Sequence, residues 1–448
     1  IPTVLKSSNN YKNKVMNQKN KSGKYPLIQW GLVLILIFFL ILSCSSSKKK
    51  KDDNKISSIE KYREMRKQKL NYPRVIHNND GCDVSQYPVN EYADKEFSIP
   101  SFLNSRSVGL IGSDVTTISY CSITSSFGQF SHKTEIGEFL TKPFQLRPGR
   151  RNVVPEFVKL GTDPLEVTCK FAKENGFEIF WSNRVNDTHD HPHRKDKPYV
   201  KWSKLKTEHP EYLFGEIGED LPHGMWSAVD FSHQEIRELC IGFYTEVCEN
   251  YDVDGIELDF FRSLVLFGNV ARGGIATQEQ RDMITSMVSD IREMTERIGM
   301  KKGKPILVLV RVPDSQGYCR DFGIDLETWM KNGLIDIVVA SGLFRLNPWE
   351  SMVELGHKYS VKVYAGLSES RVKEEHPLLI RRKNPTYRAR SAAAWQAGVD
   401  GLYIFNEYNT RKKYLSEIGN ANKLKSKNNL YFVTYRNRDP NYRLNNGA

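Results

Sequence analysis

The stretch "DVDGIELDFF" places two carboxylates inside a segment that alternates like a β-strand. Ile256, Leu258 and Phe260 alternate with Glu257 and Asp259, and the side chains of a strand point to its two faces in turn. Both acids therefore lie on the same face. Because a buried carboxylate is costly unless it is paired or hydrogen-bonded, we expect this acidic face to look into a polar cleft.

Polar and aromatic residues also follow the other predicted strands, as a site assembled from several strand ends requires. The further candidate catalytic carboxylates are Asp187, Glu369 and Glu407. The candidate substrate-binding residues are Trp181, Arg184, Asn186, His189, Arg262, Arg311, Arg345 and Asn406. Carboxylates, arginines and aromatic faces at one site are typical of carbohydrate binding, because sugars offer hydroxyl groups and apolar C–H faces.

Hydrolysis of a glycosidic bond needs two carboxyl groups, roughly 5 Å apart in retaining enzymes and roughly 6.5–9.5 Å apart in inverting ones. We predict Asp259 as one member of this pair. The partner is expected from another strand end, either Glu369 or Glu407, with Asp187 as the next candidate.

Glu257 is two residues from Asp259, roughly 6.6 Å along one strand. The two acids could form the catalytic pair, but acids stacked on one strand rarely lie on both sides of a substrate. Glu257 is therefore expected to orient or tune the site, paired with Arg311 from the next strand. The structural alternative for the two acids is an arginine–carboxylate network that only stabilises the barrel.

The segment "NDTHDHPH" mixes His and Asp, but its spacing matches no standard metal site. The cysteines that follow the leader show no CxxC spacing, which argues against zinc and a disulfide scaffold. They are Cys82, Cys121, Cys169, Cys240, Cys248 and Cys319. The sequence implies neither a metal nor a cofactor.

The elements that would position these residues repeat one pattern, an amphipathic helix that ends near a glycine and precedes a short apolar run. Gly176, Gly333 and Gly398 end "LEVTCKFAKENG", "LETWMKNG" and "ARSAAAWQAG", and each is predicted to be left-handed. The seven strand candidates are "TISYCSI", "FEIFWS", "DGIELDFF", "PILVLVRV", "LIDIVVAS", "VKVYAGLS" and "VDGLYIF". Helices are expected at 233–250, 277–298 and 349–359.

Alternating strands and helices predict an α/β fold with a parallel sheet. No glycine-rich phosphate turn follows the first strand, so the nucleotide-binding doubly wound fold is disfavoured. We predict a (β/α)8 TIM barrel, with the eighth strand supplied by residues 107–112 or 225–232. In such a barrel the chemistry lies at the C-terminal mouth.

The formal charge of +12 is confined to one end of the chain. Residues 1–70 hold 16 Lys and Arg against 4 Asp and Glu, so the remaining residues are net neutral. The folded part thus has no global field for a nucleic acid.

The N-terminal segment has the pattern of a secretory signal, with lysines, an apolar run at 32–42 and small residues after it. Ile41 to Cys44 resemble a bacterial lipobox, in which Cys44 is lipidated. A membrane-spanning helix is the alternative, but the run is shorter than the roughly 20 residues needed. The predicted order is a signal (1–44), a flexible tether (45–70), an extension (71–114), the barrel (115–418) and a C-terminal extension (419–448).

The stretch "DFSHQEIRELCIGFYTEVCENYDVDGIELDFFR" resembles the core motif of the family-10-like glycosyl hydrolases. The resemblance covers about 35 residues, with loose agreement of strand and helix order over roughly 160–410. It implies a (β/α)8 barrel that acts on glycosidic bonds, with Asp259 at the acidic position of that family.

The resulting hypothesis is a lipid-anchored glycoside hydrolase of the bacterial cell envelope that cleaves a polysaccharide. Arginines near the mouth favour a sulfated or carboxylated sugar, since guanidinium groups bind such groups bidentately. The alternatives are a non-catalytic glycan-binding surface lipoprotein and a barrel enzyme with other chemistry, such as a lyase or a deacetylase.

Overall fold

The computed structural model describes residues 58–88, 97–342, 347–368 and 375–431. Within these ranges, eight parallel strands close into a barrel, and the first strand pairs with both the second and the eighth. The strands are β1 (Arg74–Asn79), β2 (Thr117–Cys121), β3 (Glu178–Arg184), β4 (Gly255–Asp259), β5 (Leu307–Pro313), β6 (Ile337–Ser341), β7 (Lys362–Ser368) and β8 (Gly401–Phe405). The predicted (β/α)8 barrel is confirmed.

All seven strand candidates form barrel strands, whereas the expected position of the eighth was wrong. Residues 107–112 contain a short 3-10 turn, Val108–Leu110, and residues 225–232 form a loop. The missing strand is β1, which comes from the segment assigned to an extension before the barrel. Its sequence, "RVIHNN", is buried throughout and ends in polar residues, so it lacks the apolar signal of the other strands.

Besides a helix at 58–69, seven helices labelled α1 to α7 surround the barrel in the described ranges. They are α1 (Ile99–Arg106), α2 (Pro164–Glu174), α3 (Gln234–Asn250), α4 (Gln278–Lys302), α5 (Leu326–Lys331), α6 (Trp349–Lys358) and α7 (Asn384–Gln396). Further helices of four to seven residues lie at Cys82–Ser85, Val154–Lys159, Lys204–Glu208, Gly268–Ala271, Gln316–Asp321, Glu375–Arg381 and Ala421–Lys425. Two more 3-10 turns lie at Pro210–Tyr212 and Lys413–Ser416.

The local signals of the sequence explain where several helices begin and end. Thr277 and Gln280 form a reciprocal capping box at the start of α4. The predicted left-handed glycines are confirmed, with φ of +74° at Gly176, +64° at Gly333 and +87° at Gly398. Each relieves a turn that a residue with a Cβ would strain.

The interior of the barrel is a packed core closed above by charged residues. Its apolar residues are Ile76, Phe180, Leu307, Leu309, Ile337, Val339, Tyr364, Tyr403 and Phe405. Strand register places Arg184 beside Asp259, and Asp259 beside Arg311, on neighbouring strands. These three inward-facing residues share one layer at the C-terminal ends of their strands.

The second half of the predicted tether is structured. Residues 58–69 are helical, and Tyr62 is buried, where its hydroxyl donates to the carbonyl of Thr295 at 3.2 Å. Arg66 forms ion pairs with Glu296 and Asp336. Charged residues of this segment thus form contacts with the rest of the chain. The sequence analysis assigned the segment to a flexible tether because it is rich in Lys.

The predicted lipidation site, Cys44, lies outside the described residues. In the described ranges, none of the helices has both the length and the apolar character that crossing a bilayer requires.

Candidate active site

A cleft of about 820 Å³ opens at the C-terminal mouth of the barrel. It is bordered by residues at the ends of β1, β2, β3, β4 and β8, such as Asp80, Ser122, Arg184, Arg262 and Asn406. Its basic lining residues include Arg106, Arg147, Arg150, Arg184, Lys201, Arg262 and Arg411. The folded part is net neutral, so this cleft is a local concentration of positive charge.

Arg184 is the most unusual of these basic residues, because it is only 5% exposed and largely unpaired. Its Nη1 lies 3.4 Å from Oδ2 of Asp187. Within the described residues, Nε and Nη2 of Arg184 have no hydrogen-bond partner. Arg184 is thus a buried, charged side chain beside the cleft that keeps N–H groups without a partner in these ranges.

Asp187, His189 and Arg262 form a chain of contacts beside Arg184. The Nδ1 of His189 lies 2.5 Å from Oδ1 of Asp187, and Nη2 of Arg262 donates to Nε2 of His189 at 2.8 Å. Burial acts to raise the pKa of Asp187, but His189 and Arg262 outweigh it and hold that pKa below its usual range. Asp187 is therefore an ionised group that orients His189 and Arg262, both of which line the cleft.

Asp259 is fully buried and paired with an arginine from the next strand. Nη1 of Arg311 donates to both carboxylate oxygens, at 2.9 and 3.1 Å, and the backbone N–H of Arg262 donates at 3.0 Å. The guanidinium of Arg311 also lies 3.9 Å from the ring centre of Phe405. The expected partner of Arg311 was Glu257, whereas the strand register gives it to Asp259.

Glu257 lies deeper in the barrel and accepts two neutral hydrogen bonds. The hydroxyls of Ser119 and Tyr403 donate to its two oxygens, the second at 2.6 Å. Burial, assisted by the negative charge of Asp259, raises the pKa of Glu257 to about 7. As the sequence predicted, both acids face the barrel interior, but neither of them borders the cleft.

Two of the predicted substrate-binding residues are occupied with internal contacts. Trp181 is fully buried on the helix-facing side of β3, and its Nε1 donates to Oγ of Ser122 at 2.8 Å. Asn186 is also fully buried, and its amide bonds the backbone of Val229 twice and the carbonyl of Val265 once. The structure therefore gives both residues a role in holding the walls of the mouth.

Two candidate site residues follow β8, and one lies in the cleft while the other lies in the protein interior. Asn406 lines the cleft with a left-handed φ of +55°, a conformation that Asn tolerates well. Glu407 faces away, and its carboxylate accepts from Lys412 at 2.7 Å and from Tyr414 at 3.1 Å. Two other candidates, Arg345 and Glu369, lie outside the described residues.

A carboxylate that the sequence analysis missed, Asp80, follows β1 and lines the cleft. It accepts from Nη1 of Arg106 at 2.5 Å, from the backbone N–H of Cys82 at 3.0 Å and from the hydroxyl of Tyr408 at 2.8 Å. Burial acts to raise its pKa, but Arg106 and Arg184 outweigh it and hold the pKa of Asp80 below its usual range.

A second missed carboxylate, Asp83, lies one turn later on the same wall of the cleft. Its donors are neutral, the amide of Asn79 at 2.7 Å and the hydroxyl of Tyr120 at 3.3 Å. Burial raises the pKa of Asp83 above its usual value. The segment "DGCD" was a possible signal, because it follows a strand with a glycine between acids, but β1 itself was not recognised.

Across the described ranges, His, Cys, Asp and Glu do not gather in groups of three that could hold a metal ion. In the "NDTHDHPH" loop, Asn186 and Asp190 make internal contacts, whereas His189 lines the cleft. Asp190 is fully buried and accepts from Nζ of Lys206 at 2.5 Å and from the hydroxyl of Ser227 at 2.8 Å.

No family model matches the chain, and no curated protein matches it either. The resemblance of residues 230–262 to the family-10-like glycosyl hydrolases therefore stays a prediction.

Several solved structures are similar to this chain at low identity. An α-L-fucosidase from Paenibacillus thiaminolyticus is 15% identical, with a TM-score of 0.47, over 78% of this chain and 48% of that one. An α-galactosidase from Geobacillus stearothermophilus is 12% identical, with a TM-score of 0.39, over 79% and 41%. The PgaB glycoside hydrolase domain from Bordetella bronchiseptica is 8% identical, with a TM-score of 0.46, over 79% and 100%. The matched part of this chain thus spans less than half of the fucosidase and of the galactosidase.

Proposed function

We propose that this protein is a glycoside hydrolase that cleaves an acidic polysaccharide in the cleft at the barrel mouth. The cleft has the position that (β/α)8 enzymes use for chemistry. Its volume of about 820 Å³ is in the usual range of ligand sites, roughly 300–1,000 Å³. Its lining combines basic residues, two carboxylates and the aromatic rings of Tyr199 and Tyr408.

The proposal of an acidic substrate rests on one observation. The Nε and Nη2 atoms of Arg184 have no hydrogen-bond partner within the described residues. A desolvated charge without a full set of hydrogen bonds is costly, and that cost is recovered when an anion binds. Sulfate and carboxylate groups match the planar guanidinium fork. Arg262, whose Nε also lacks a partner in the same ranges, adds a second cationic contact from the next strand.

Asp259 supports this site in a different way from the one the sequence predicted. Because it is fully buried and paired with Arg311, it holds the floor of the mouth and fixes the backbone of Arg262. Hydrolysis would then rest on carboxylates that reach the cleft.

A second candidate function is glycan binding without cleavage. The specific observation in its favour is that the strand that resembles the glycosyl hydrolase motif buries both of its acids, Glu257 and Asp259. A barrel that had lost its catalytic pair would keep the basic cleft and bind the same acidic glycans.

The test uses the full chain with matched pairs of polysaccharides, each sulfated or uronate-rich polymer beside its desulfated or carboxyl-reduced form. New reducing ends from the acidic member alone are the expected result. Binding by calorimetry without new reducing ends would establish the second candidate. Equal activity on both members of each pair would contradict the acidic substrate, and neither cleavage nor binding would contradict both functions.

The cellular location remains a separate proposal. We propose lipid anchoring to the bacterial cell envelope through Cys44, which would present the barrel to external polysaccharide. Cys44→Ala in the full chain should release the protein from membranes, and retention of that variant at high salt would contradict the anchor.

A further inference from the structure

We infer that Lys201, Arg147 and Arg150 form a second anion-binding subsite of the cleft, so that the substrate is a glycan with several acidic groups. This inference rests on the proposed function and narrows its substrate class from an acidic glycan to a multiply charged one. The three residues, called the outer cations, all line the cleft. None of them belongs to the segment that resembles a known family.

Lys201 is a buried cation at the wall of the cleft. It is 5% exposed. Within the described residues its Nζ donates to a neutral group alone, the hydroxyl of Ser85, at 2.9 Å. The ring centre of Phe144 lies 5.7 Å from the same Nζ. Because a buried ammonium without a charged acceptor is costly, we expect Lys201 to be stabilised when an anion binds beside it.

Lys206, in the short helix Lys204–Glu208, shows how a structural lysine is held in the same part of the chain. It is fully buried, and its Nζ is paired with Oδ2 of Asp190 at 2.5 Å and donates to the carbonyl of Ser227 at 2.8 Å. Lys206 does not border the cleft. The two lysines are similarly buried, but the one that lines the cleft is the one without a carboxylate. This difference points to a ligand at Lys201.

Arg147 and Arg150 are held close together by the sequence "RPGR" in the loop after β2. Gly149 has a φ of +72°, and the N–H of Arg150 donates to the carbonyl of Arg147 at 3.0 Å, as in a type II turn. The Cα atoms at the two ends of such a turn lie within about 7 Å. Phe144, which contacts Lys201, belongs to the same loop.

This turn therefore presents two like charges at one place on the cleft wall. Both side chains are exposed, and within the described residues neither Arg147 nor Arg150 forms an ion pair. Two neighbouring guanidinium groups repel each other, and an anion between or beside them relieves that repulsion. Exposed arginines alone would be a weak signal. Their position beside the buried ammonium of Lys201 makes the three a built site.

The outer cations and Arg184 reach the cleft from different parts of the fold. Arg184 extends inward from the end of β3, where it contacts Asp187 and lies 5.8 Å from the ring centre of Phe405 on β8. Lys201 lies instead against the helix after β1 and the loop after β2. The contacts of the two cations have no residue in common. A chain of sugar units that fills the cleft of about 820 Å³ would meet both.

The carboxylates of the cleft do not supply the partner that Lys201 lacks. Burial lowers the pKa of Lys201, and the negative charges of Asp80 and Asp187 act in the opposite direction. These two carboxylates are held by other groups, Asp80 by Arg106 and Asp187 by His189. An acidic group of the glycan beside Nζ would provide the direct contact that these carboxylates do not make.

The main experiment is calorimetry of the full chain with the sulfated and uronate-rich polysaccharides of the matched pairs. Lys201→Met should weaken binding of the acidic member by about 10- to 100-fold, because it removes a charged hydrogen bond. The double variant Arg147→Gln/Arg150→Gln should weaken it by about 10-fold or more. Lys204→Met removes the same charge from an exposed position nearby and is the matched control, with an expected change of less than about twofold. Equal losses in Lys201→Met and Lys204→Met, or no loss in Lys201→Met, would overturn the subsite.

Thermal unfolding separates binding from a structural role. Lys201→Met keeps the shape of the side chain and removes a charge without a carboxylate, so its Tm without glycan should equal or exceed that of the wild type. Lys206→Met leaves Asp190 buried without its cation and should lower the Tm by several degrees. A fall of Tm in Lys201→Met as large as that in Lys206→Met would mean that Lys201 is structural, and would overturn the inference.

The number of acidic groups is tested with short oligosaccharides of the same polysaccharide that carry one acidic group or several. The wild type should bind the multiply charged members at least about 10-fold more tightly, and Lys201→Met should lose most of this preference. The losses of affinity in Arg184→Gln and Lys201→Met should multiply in the double variant, as expected for contacts with different groups. A double variant no weaker than either single variant would mean that the cations share one acidic group, which would overturn the second subsite.

Failure of this inference and failure of the proposed function give different results. Cleavage of acidic glycans with unchanged binding in Lys201→Met overturns the subsite alone. Binding that depends on Lys201, without new reducing ends, overturns the hydrolase function alone. Absence of any binding and cleavage by the wild type overturns both.

Discussion

The two ends of the barrel treat buried arginines in different ways. At the N-terminal end, Nε of Arg74 donates to Glu178 at 2.6 Å, and Nη2 of Arg292 donates to Asp336 at 2.7 Å. At the C-terminal mouth, Arg184 is buried to the same degree but has one long contact, at 3.4 Å, with a carboxylate. At the closed end both arginines have a close carboxylate partner, although Nη1 of Arg292 has none within the described residues. At the mouth Arg311 is closely paired with Asp259, whereas Arg184 has only its long contact with Asp187.

This difference suggests distinct roles for the two ends, with stability at the closed end and ligand binding proposed for the mouth. Ion pairs at the closed end hold strands and helices in register, and Arg74 also donates to backbone carbonyls of the preceding loop. The mouth instead keeps a charge with one long ion-pair contact and with two N–H groups that have no partner within the described residues. Such an arrangement costs stability and is expected where a ligand supplies the missing contact.

The largest expected effect is on stability at the closed end. Arg74→Met should leave Glu178 short of its main partner and lower the free energy of unfolding by about 3–5 kcal/mol. Arg184→Met removes a charge with one long ion-pair contact, but also a cation that acts on Asp80 and Asp187, so the loss should be smaller, about 1–2 kcal/mol. Urea unfolding of the two variants beside the wild type measures both values.

Lys69 lies 3.7 Å from Glu178 and is the remaining cation there. If it compensated fully, Arg74→Met would cost as little as Arg184→Met, and the contrast between the two ends would fail. A loss of several kcal/mol in Arg184→Met would show that the mouth arginine is structural.

The fold was predictable because its signals are local. Apolar strands of five to seven residues and helices that end at Gly176, Gly333 and Gly398 follow directly from side-chain alternation and from the left-handed preference of glycine. β1 was not predicted, because its sequence "RVIHNN" ends in polar residues at the barrel mouth and so lacks a continuous apolar pattern. Its position became evident only from its pairing with β2 and β8.

The site was predictable in part. The inward direction of Glu257 and Asp259 follows from strand alternation, and this prediction agrees with the structure. Their depth does not follow, because it depends on Arg311, which pairs with Asp259 from β5 and lies against the ring of Phe405 from β8. Side-chain contacts between strands that are far apart in the sequence therefore decide which of the acids is exposed to solvent.

A smaller effect concerns the pH dependence of stability. Burial and the charge of Asp259 raise the pKa of Glu257 from 4.5 to about 7. Between these pH values the folded protein keeps a proton that the unfolded chain releases, so the stabilisation is complete below about pH 4.5 and is lost as pH rises through 7. At 1.36 kcal/mol per unit, the loss is about 3 kcal/mol.

Glu257→Gln mimics the protonated side chain and should remove this component. The free energy of unfolding of the variant, measured from pH 5 to 8, should fall less steeply than that of the wild type by about 3 kcal/mol in total. The difference between the two curves isolates Glu257, because all other titrating groups are shared. Parallel curves would mean that Glu257 is ionised in the folded protein at pH 5.

The smallest expected effect is on binding, and it examines the mouth directly. Arg184→Gln replaces a guanidinium by a neutral amide, so it should weaken binding of an acidic glycan by about 10- to 100-fold, which corresponds to about 1.5–3 kcal/mol for a charged hydrogen bond. Arg297→Gln removes the same charge from an exposed position on α4 and is the matched control. Because both variants lower the net charge equally, a loss of affinity confined to Arg184→Gln would locate the anion contact in the cleft.

Equal losses of affinity in both variants, which disappear when salt is added, would mean that the glycan is attracted by the general charge of the surface. Equal affinity in Arg184→Gln and wild type would show that the unpaired guanidinium does not meet the substrate, and the contrast between the two ends of the barrel would then have no functional meaning.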